Sequence, residues 1–173
     1  DTLKGGMGSD SIVGLEGADN IDGQAGADTI DGGAGNDTIN GSFGDDNLSG
    51  GSGNDTLTDD QGTNVLDGGE GNDTLTVSGD ARRGYGRVDI TANGGAGNDD
   101  ITVTASNAGK NNLSGGEYGF ASVVIDGGDG ADKIRVSGGL QVNITTGSGS
   151  DTVELTAQQY RTILEGSRSI TTN

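Results

Sequence analysis

The sequence contains no cysteine, histidine, proline or tryptophan, and these absences exclude several kinds of protein. Without cysteine or histidine the chain has no disulfide, no thiolate or imidazole zinc site and no histidine-based catalysis. The composition fits an extracellular protein that needs no disulfides. No run of apolar residues is long enough to cross a membrane. Because no signal-peptide pattern precedes the repeats, we expect a fragment, or a protein exported by a route without such a peptide.

Hydrophobic and aromatic residues are also scarce, at 28% and 3%, so an ordinary globular core is not expected. Glycine is abundant instead, with 37 residues. Scattered glycine would indicate disorder, but here it recurs with a fixed period, which indicates a repeat architecture. The 27 acidic and 9 basic residues give a net charge of −18. This charge disfavours nucleic acid and anionic lipid as partners and favours cations.

A unit of nine residues repeats along the first half of the chain and is clearest at Gly32–Asn40, Gly-Gly-Ala-Gly-Asn-Asp-Thr-Ile-Asn. Position four is always glycine, position six is aspartate except at Asn64, and position eight is always aliphatic. Glycine lets a turn adopt positive φ, and one aliphatic residue in a short strand points inward. The units begin at Gly5, Gly14, Gly23, Gly32, Gly41, Gly50, Asp59 and Gly68.

Two units are needed to close one coil, so we expect eighteen residues per coil and units eighteen apart on the same side. The predicted organisation is a regular roll over 1–76 and a continuation with longer strands over 77–156. Its total is about seven coils. The continuation has variable loops on one side, and 157–173 is a cap or the start of a next module.

The stacked units bring the aspartates of position six into columns. Carboxylates about 4.8 Å apart repel each other by roughly 0.8 kcal/mol per pair in water, and a divalent cation between turns relieves this. Carboxylates and backbone carbonyls favour Ca²⁺ over transition metals and over Mg²⁺. One column is predicted to contain Asp19, Asp37, Asp55, Asp73, Asp99, Asp132 and Asp151, and the other Asp10, Asp28, Asp46 and then Asn64.

The unit Gly-Gly-x-Gly-x-Asp-x-aliphatic-x resembles the RTX (repeats-in-toxin) nonapeptide, over Gly5–Thr76 and in three later turns. The resemblance implies an all-β, right-handed parallel β-roll that binds about eight Ca²⁺ between its turns. It also implies type I secretion and folding in external calcium. The carbonyls that the resemblance adds as ligands, beside the aspartates of both columns, belong to Gly8, Gly17, Gly26, Gly35, Gly44, Gly53, Gly71, Gly97 and Gly130.

Some units depart from the pattern. Asp59, Asp60 and Asn64 interrupt the unit 59–67, where we expect no complete site, and Leu15, Gln24 and Ser42 replace the second glycine in three other units. The predicted function is a calcium-binding structural module of a secreted or cell-surface bacterial protein, without enzymatic activity. The alternative is an interaction module that binds polysaccharide or lattice neighbours, as in epimerase modules, adhesins or surface layers. Arg82, Arg83 and Arg87 are the candidates for such a contact.

Overall fold

The computed structural model describes residues 1–80, 87–106, 120–138, 141–156, 162–165 and 168–172. These residues form strands and turns and contain no helix. The strands are β1 Thr2–Met7, β2 Ser11–Val13, β3 Asn20–Ala25, β4 Thr29–Ala34, β5 Thr38–Asn40, β6 Asn47–Ser52, β7 Thr56–Asp59, β8 Asn64–Glu70, β9 Thr74–Asp80, β10 Arg87–Ala96, β11 Asp100–Ser106, β12 Phe120–Asp126, β13 Lys133–Gly138, β14 Gln141–Thr145, β15 Asp151–Thr156, β16 Thr162–Glu165 and β17 Arg168–Thr172.

The strands alternate between two parallel sheets. The nine odd-numbered strands form the first sheet and the eight even-numbered strands the second, each in chain order. Up to β8, the paired residues lie eighteen positions apart, as in Thr38 with Thr56 and Thr29 with Asn47. One coil therefore contains two units, which confirms the predicted all-β parallel roll. The two sheets contain more strands than about seven coils would supply.

The core lies between the two sheets and is built from position eight. Residues such as Ile30, Ile39, Leu48 and Leu57 are buried, whereas their neighbours in the strand point outward. In the regular units a single aliphatic column on each side therefore supplies the core. Strands β9 to β12 have seven to ten residues, and each strand from β9 to β14 buries two or three apolar residues, as Val88, Ile90 and Ala92 do in β10.

Most of the regular strands are longer than the three residues that the repeat predicts, although β2 and β5 contain three. Strand β4, for example, extends from position seven of one unit to position three of the next. Its pairing with β6 includes Gly33 with Gly51 but passes over Gly32 and Gly50 at position one. The turn thus contributes to the sheet on both sides of position one, and position one itself leaves the ladder.

The second half of the chain keeps the same two sheets while its coils change in length. In the first sheet, Thr74 pairs with Asp100 and Asp100 with Lys133. In the second sheet, Asn64 pairs with Ile90, which pairs with Val123. An apolar residue thus follows Asn64 at the place where earlier units have aspartate, so the second sheet loses its acidic column here while the first sheet keeps its own.

Candidate metal sites between the coils

The aspartates of position six stand where the chain enters a strand, and stacking of the coils aligns them. The first column precedes the odd-numbered strands from β3 to β13 and ends with the first residue of β15. The second column precedes β2, β4 and β6 and ends with the first residue of β8. A chain of hydrogen bonds connects each column. In the first column the order is Asp19, Asp37, Asp55, Asp73, Asp99, Asp132 and Asp151. In the second it is Asp10, Asp28, Asp46 and Asn64.

Each link of a column is the same hydrogen bond. The backbone N–H of one position-six residue donates to the Oδ1 atom of the next, at 2.8 Å from Asp37 to Asp55 and from Asp55 to Asp73. The spacing between linked residues varies in sequence, from 18 for Asp37 and Asp55 to 33 for Asp99 and Asp132. The columns therefore depend on stacking of the turns and not on a fixed repeat length.

The second carboxylate oxygen of these aspartates has no comparable partner. Asp37 and Asp55 are each 1% exposed, and their Oδ2 atoms receive no hydrogen bond from the described residues. A buried carboxylate oxygen without a donor is costly, because burial removes water and nothing replaces it. The same holds for the Oδ2 atoms of Asp10, Asp19, Asp28, Asp46, Asp73, Asp99, Asp132 and Asp151.

From Asp10 to Asp132, the free oxygen of each aspartate faces the glycine at position one of its own unit. A Cβ atom on Gly50 would lie 2.5 Å from Asp55 Oδ2 and 2.5 Å from the carbonyl oxygen of Gly68 in the next coil. Gly94 stands in the same relation to Asp99 and Gly127, again at 2.5 Å from both oxygens. No side chain fits at Gly50 or Gly94 without displacing these oxygens, and a carboxylate and a backbone carbonyl from successive coils converge there.

The glycines of position four turn the backbone between the coils. Gly35 and Gly53, for example, have φ angles of 136° and 128°, which favour glycine. A Cβ atom on Gly53 would overlap the carbonyl oxygen of Gly35 in the preceding coil. The carbonyl oxygen of one position-four glycine thus lies against the position-four glycine of the next coil.

Burial governs the electrostatics of the columns. Burial is the main reason why the pKa of Asp73 is raised to about 6, and the charges of Asp99 and Asp55 make smaller contributions. Burial likewise raises the pKa of Asp132 to about 6, again with a contribution from Asp99. The ionised forms of Asp73 and Asp132 are therefore unfavourable without a counter-charge, and a proton or a cation relieves them.

The donor chemistry of these places fits calcium. Within the described ranges, no three or more His, Cys, Asp or Glu side chains cluster closely enough to hold a metal. A site here consequently combines the carboxylates of two turns with backbone carbonyls. Oxygen donors of this mixed kind suit Ca²⁺, which accepts six to eight oxygens in flexible geometry. The free Oδ2 atoms and the position-one carbonyls are such donors.

The unit 59–67 is built differently from the others. Asp59 occupies position one, is 0% exposed, and accepts a hydrogen bond from Asn64 Nδ2 at 2.5 Å. Asn64 occupies position six and accepts the Asp46 N–H at 3.0 Å, as an aspartate would. Burial first, and then the charge of Asp46, raises the pKa of Asp59 to about 8. Burial likewise raises the pKa of Asp46.

In three units another residue replaces the glycine of position two, and it adopts the backbone conformation that glycine has there. Leu15, Gln24 and Ser42 have φ angles of 80°, 76° and 76°, in the left-handed region that favours glycine. The turn is therefore retained in these units at the cost of backbone strain.

We call the space between two successive turns of a column a junction. Sequence reasoning identified the columns but missed two features of the junctions. It did not identify the carbonyls of position one, although glycine begins every unit from Gly5 to Gly68 except that at Asp59. It treated Asp59 only as an interruption, although aspartate at position one and asparagine at position six occur together in that single unit. Arg82 and Arg83 lie outside the described residues, as does the side chain of Arg87.

The comparisons with known proteins give one family. A model of the RTX calcium-binding nonapeptide repeat, four copies in length, matches residues 4–39, 40–75 and 120–139, which together make up more than half of the chain. The matched ranges contain Asp10, Asp19, Asp28, Asp37, Asp46, Asp55, Asp73 and Asp132. Comparison with curated proteins and with solved structures gives no significant match. Among the described residues, no helix is long and apolar enough to cross a membrane.

Proposed function

The chain belongs to the RTX calcium-binding nonapeptide repeat family, a structural calcium-binding module, and we propose that its two aspartate columns hold Ca²⁺ between successive coils. The observation that carries this proposal is the buried Oδ2 atom without a donor, repeated along both columns. Each ion would be held by position-six aspartates of two neighbouring turns, together with carbonyls of positions one and four. The first column offers six such junctions and the second offers two before Asn64.

We propose further that calcium binding drives folding of the module. The regular units bury one aliphatic side chain each, and their buried carboxylates repel each other when they are ionised. A metal that binds only the stacked turns contributes its binding free energy to folding. The total of about eight ions would bring about sixteen positive charges to a chain of net charge −18.

This dependence suits a protein that crosses the cell envelope unfolded and folds where calcium is plentiful. The proposed setting is therefore a secreted or cell-surface bacterial protein, exported by type I secretion. RTX repeats are typical of secreted proteins. The module would act as a folding trigger and spacer, with 1–76 as its regular part, 77–156 as its widened continuation, and 157–173 as a cap or a link to a further module.

The experiment is a calcium titration followed by circular dichroism. The full chain is freed of metal with a chelator and then titrated with Ca²⁺ or, as a control, with Mg²⁺. We expect the β-sheet signal to appear cooperatively with Ca²⁺ and to need a far higher concentration of Mg²⁺, which prefers water and rigid octahedral geometry. A complete β-sheet spectrum in chelator would contradict calcium-driven folding.

The alternative function is an interaction module that binds an anionic polysaccharide or a lattice neighbour. Its supporting feature is the sequence cluster of Arg82, Arg83 and Arg87 on an otherwise acidic chain. Replacing the three arginines with glutamine and measuring polysaccharide binding and assembly in calcium tests it. Unchanged binding and assembly in the variant would remove this alternative.

A further inference from the structure

The unit 59–67 exchanges the chemistry of two positions. Every other unit of the second column has glycine at position one and aspartate at position six, whereas this unit has Asp59 and Asn64. The exchange moves the carboxylate five residues earlier in the chain. Since position one and position six of a turn face each other in the regular coils, the carboxylate stays within the same junction.

The Asp59 carboxylate is held in a fixed orientation. Its Oδ1 atom accepts hydrogen bonds from Asn64 Nδ2 at 2.5 Å and from the Gln61 N–H at 3.2 Å. Its Oδ2 atom is buried and, like Asp46 Oδ2, has no donor among the described residues. The free oxygens of two carboxylates, from two successive coils, are therefore both enclosed in this junction.

The two free oxygens point at the same place. A Cβ atom on Gly41 would lie 2.7 Å from Asp46 Oδ2 and would also overlap Asp59 Oδ2. In the preceding junction, the corresponding atoms around Gly23 are Asp28 Oδ2 and the carbonyl oxygen of Gly41. A carboxylate oxygen thus stands where the regular junction has a backbone carbonyl oxygen.

The charge of the junction is conserved by the exchange. A regular junction lies between two position-six carboxylates, such as Asp28 and Asp46. Here the amide of Asn64 supplies no charge, and Asp59 restores the second carboxylate. Beyond Asn64 the column becomes apolar, because the next residue in register is the buried Ile90. A second carboxylate is therefore needed only on the side of Asn64 that faces Asp46. Asp59 lies on that side.

We infer that the junction between turns 41–46 and 59–64 holds a divalent cation of its own, with Asp59 as the carboxylate ligand that Asn64 does not provide. This inference rests on the proposed function and replaces the sequence expectation that unit 59–67 lacks a complete site. Asp46 and Asp59 are the charged ligands. Asn64 acts as a positioning residue, because it holds Asp59 through its Nδ2 atom and Asp46 through its Oδ1 atom. The second column would then hold three ions.

In the competing interpretation the junction holds no metal. The hydrogen bond between Asp59 and Asn64 then only separates the polar column from the apolar core. The two interpretations predict different numbers of bound ions for the Asp59→Asn variant. Asparagine keeps an oxygen for Asn64 and Gln61 and offers an N–H₂ group to Asp46 Oδ2, so the fold is retained while the charge is lost. They also differ for the double variant Asp59→Gly with Asn64→Asp, which restores the regular unit.

Native mass spectrometry of the calcium-loaded full chain counts bound ions directly. We expect Asp59→Asn to hold one Ca²⁺ fewer than the wild type, and the double variant to hold the same number as the wild type. Asp60→Asn, which removes the same charge at the exposed neighbour, is the matched control and should leave the count unchanged. Circular dichroism in calcium verifies that each variant is folded.

The opposite pattern overturns the inference. If the junction holds no metal, Asp59→Asn keeps the wild-type count and the double variant gains one ion. That result would leave the regular junctions, and hence the proposed function, intact. A wild type that binds no Ca²⁺ would overturn both.

Discussion

Replacement of Asp55 by asparagine separates the metal role of a column aspartate from its role in the hydrogen-bond chain. Asp55 is 1% exposed, and its Oδ1 atom accepts the Asp37 N–H at 2.8 Å. Asparagine retains an oxygen for that bond and the backbone N–H that donates to Asp73. The change therefore removes one charge and exchanges only the free Oδ2 atom for an N–H₂ group.

The expected loss of stability depends on calcium. Asp55 lies between the junction with Asp37 and the junction with Asp73, so its replacement weakens the binding of two ions. At a free Ca²⁺ concentration 100-fold above the dissociation constant, one bound ion stabilises a fold by about 2.7 kcal/mol. Loss of both ions therefore costs about 5 kcal/mol, which is comparable to the whole stability of a small domain.

The assay is denaturant unfolding of the full chain at several free Ca²⁺ concentrations. The slope of unfolding free energy against the logarithm of Ca²⁺ concentration gives the number of ions released, and Asp55→Asn should lower it by about two. Asp45→Asn is the matched control. Asp45 is exposed and accepts the Thr63 N–H at 2.8 Å, as Asn36 accepts that of Asn54 in another turn.

Two results would refute the reasoning. One is an Asp55→Asn variant whose slope equals that of the wild type, since the aspartate would then hold no ion. The other is an equal loss in the Asp45→Asn control, since the effect would then follow net charge and not position in the column.

Three further predictions follow from the same geometry. Because folding raises the pKa of Asp73 and Asp132 to about 6 from 3.8, the metal-free fold binds more protons than the unfolded chain. The stability that these two groups contribute is therefore fully present below about pH 4 and is lost as pH rises through about 6. Circular dichroism in chelator checks this, and more β-structure at pH 8 than at pH 4 would contradict it. Gly50→Ala places a Cβ atom against two oxygens, so denaturant unfolding in calcium should show a loss of about 1–3 kcal/mol, and an unchanged midpoint would show that the junction can widen. Leu15→Gly removes a side chain from a φ of 80° and should stabilise the calcium-loaded fold by about 1 kcal/mol in the same assay, whereas Glu16→Gly, which has no such strain, should not.

The period of the sequence was sufficient to predict the β-roll, because each position of the unit has one physical task. Aliphatic position eight, as in Ile39 and Leu57, places the core. Aspartate at position six places the columns, even where the coil lengthens from 18 residues to 33, as between Asp99 and Asp132. The turn motif thus predicts stacking better than sequence spacing does.

Details of the junctions did not follow from the pattern. The sequence does not show which carbonyl a turn directs between coils, because glycine at positions one, two and four permits many backbone paths. The structure is needed to see that the carbonyl of Gly68 and the Oδ2 atom of Asp55 meet at Gly50. For the same reason, the exchange of Asp59 and Asn64 is interpreted from the sequence as an interruption of the repeat, although their side chains contact each other in the fold.

The central claim is that calcium lies between the stacked aspartates, and a crystal structure of the calcium-loaded chain tests it most directly. Anomalous scattering locates the calcium ions independently of any assumption about their ligands. We predict peaks between successive aspartates of both columns, such as Asp37 and Asp55 or Asp28 and Asp46. Empty junctions, with peaks only at outward-facing carboxylates such as Asp31 and Asp67, would contradict the claim.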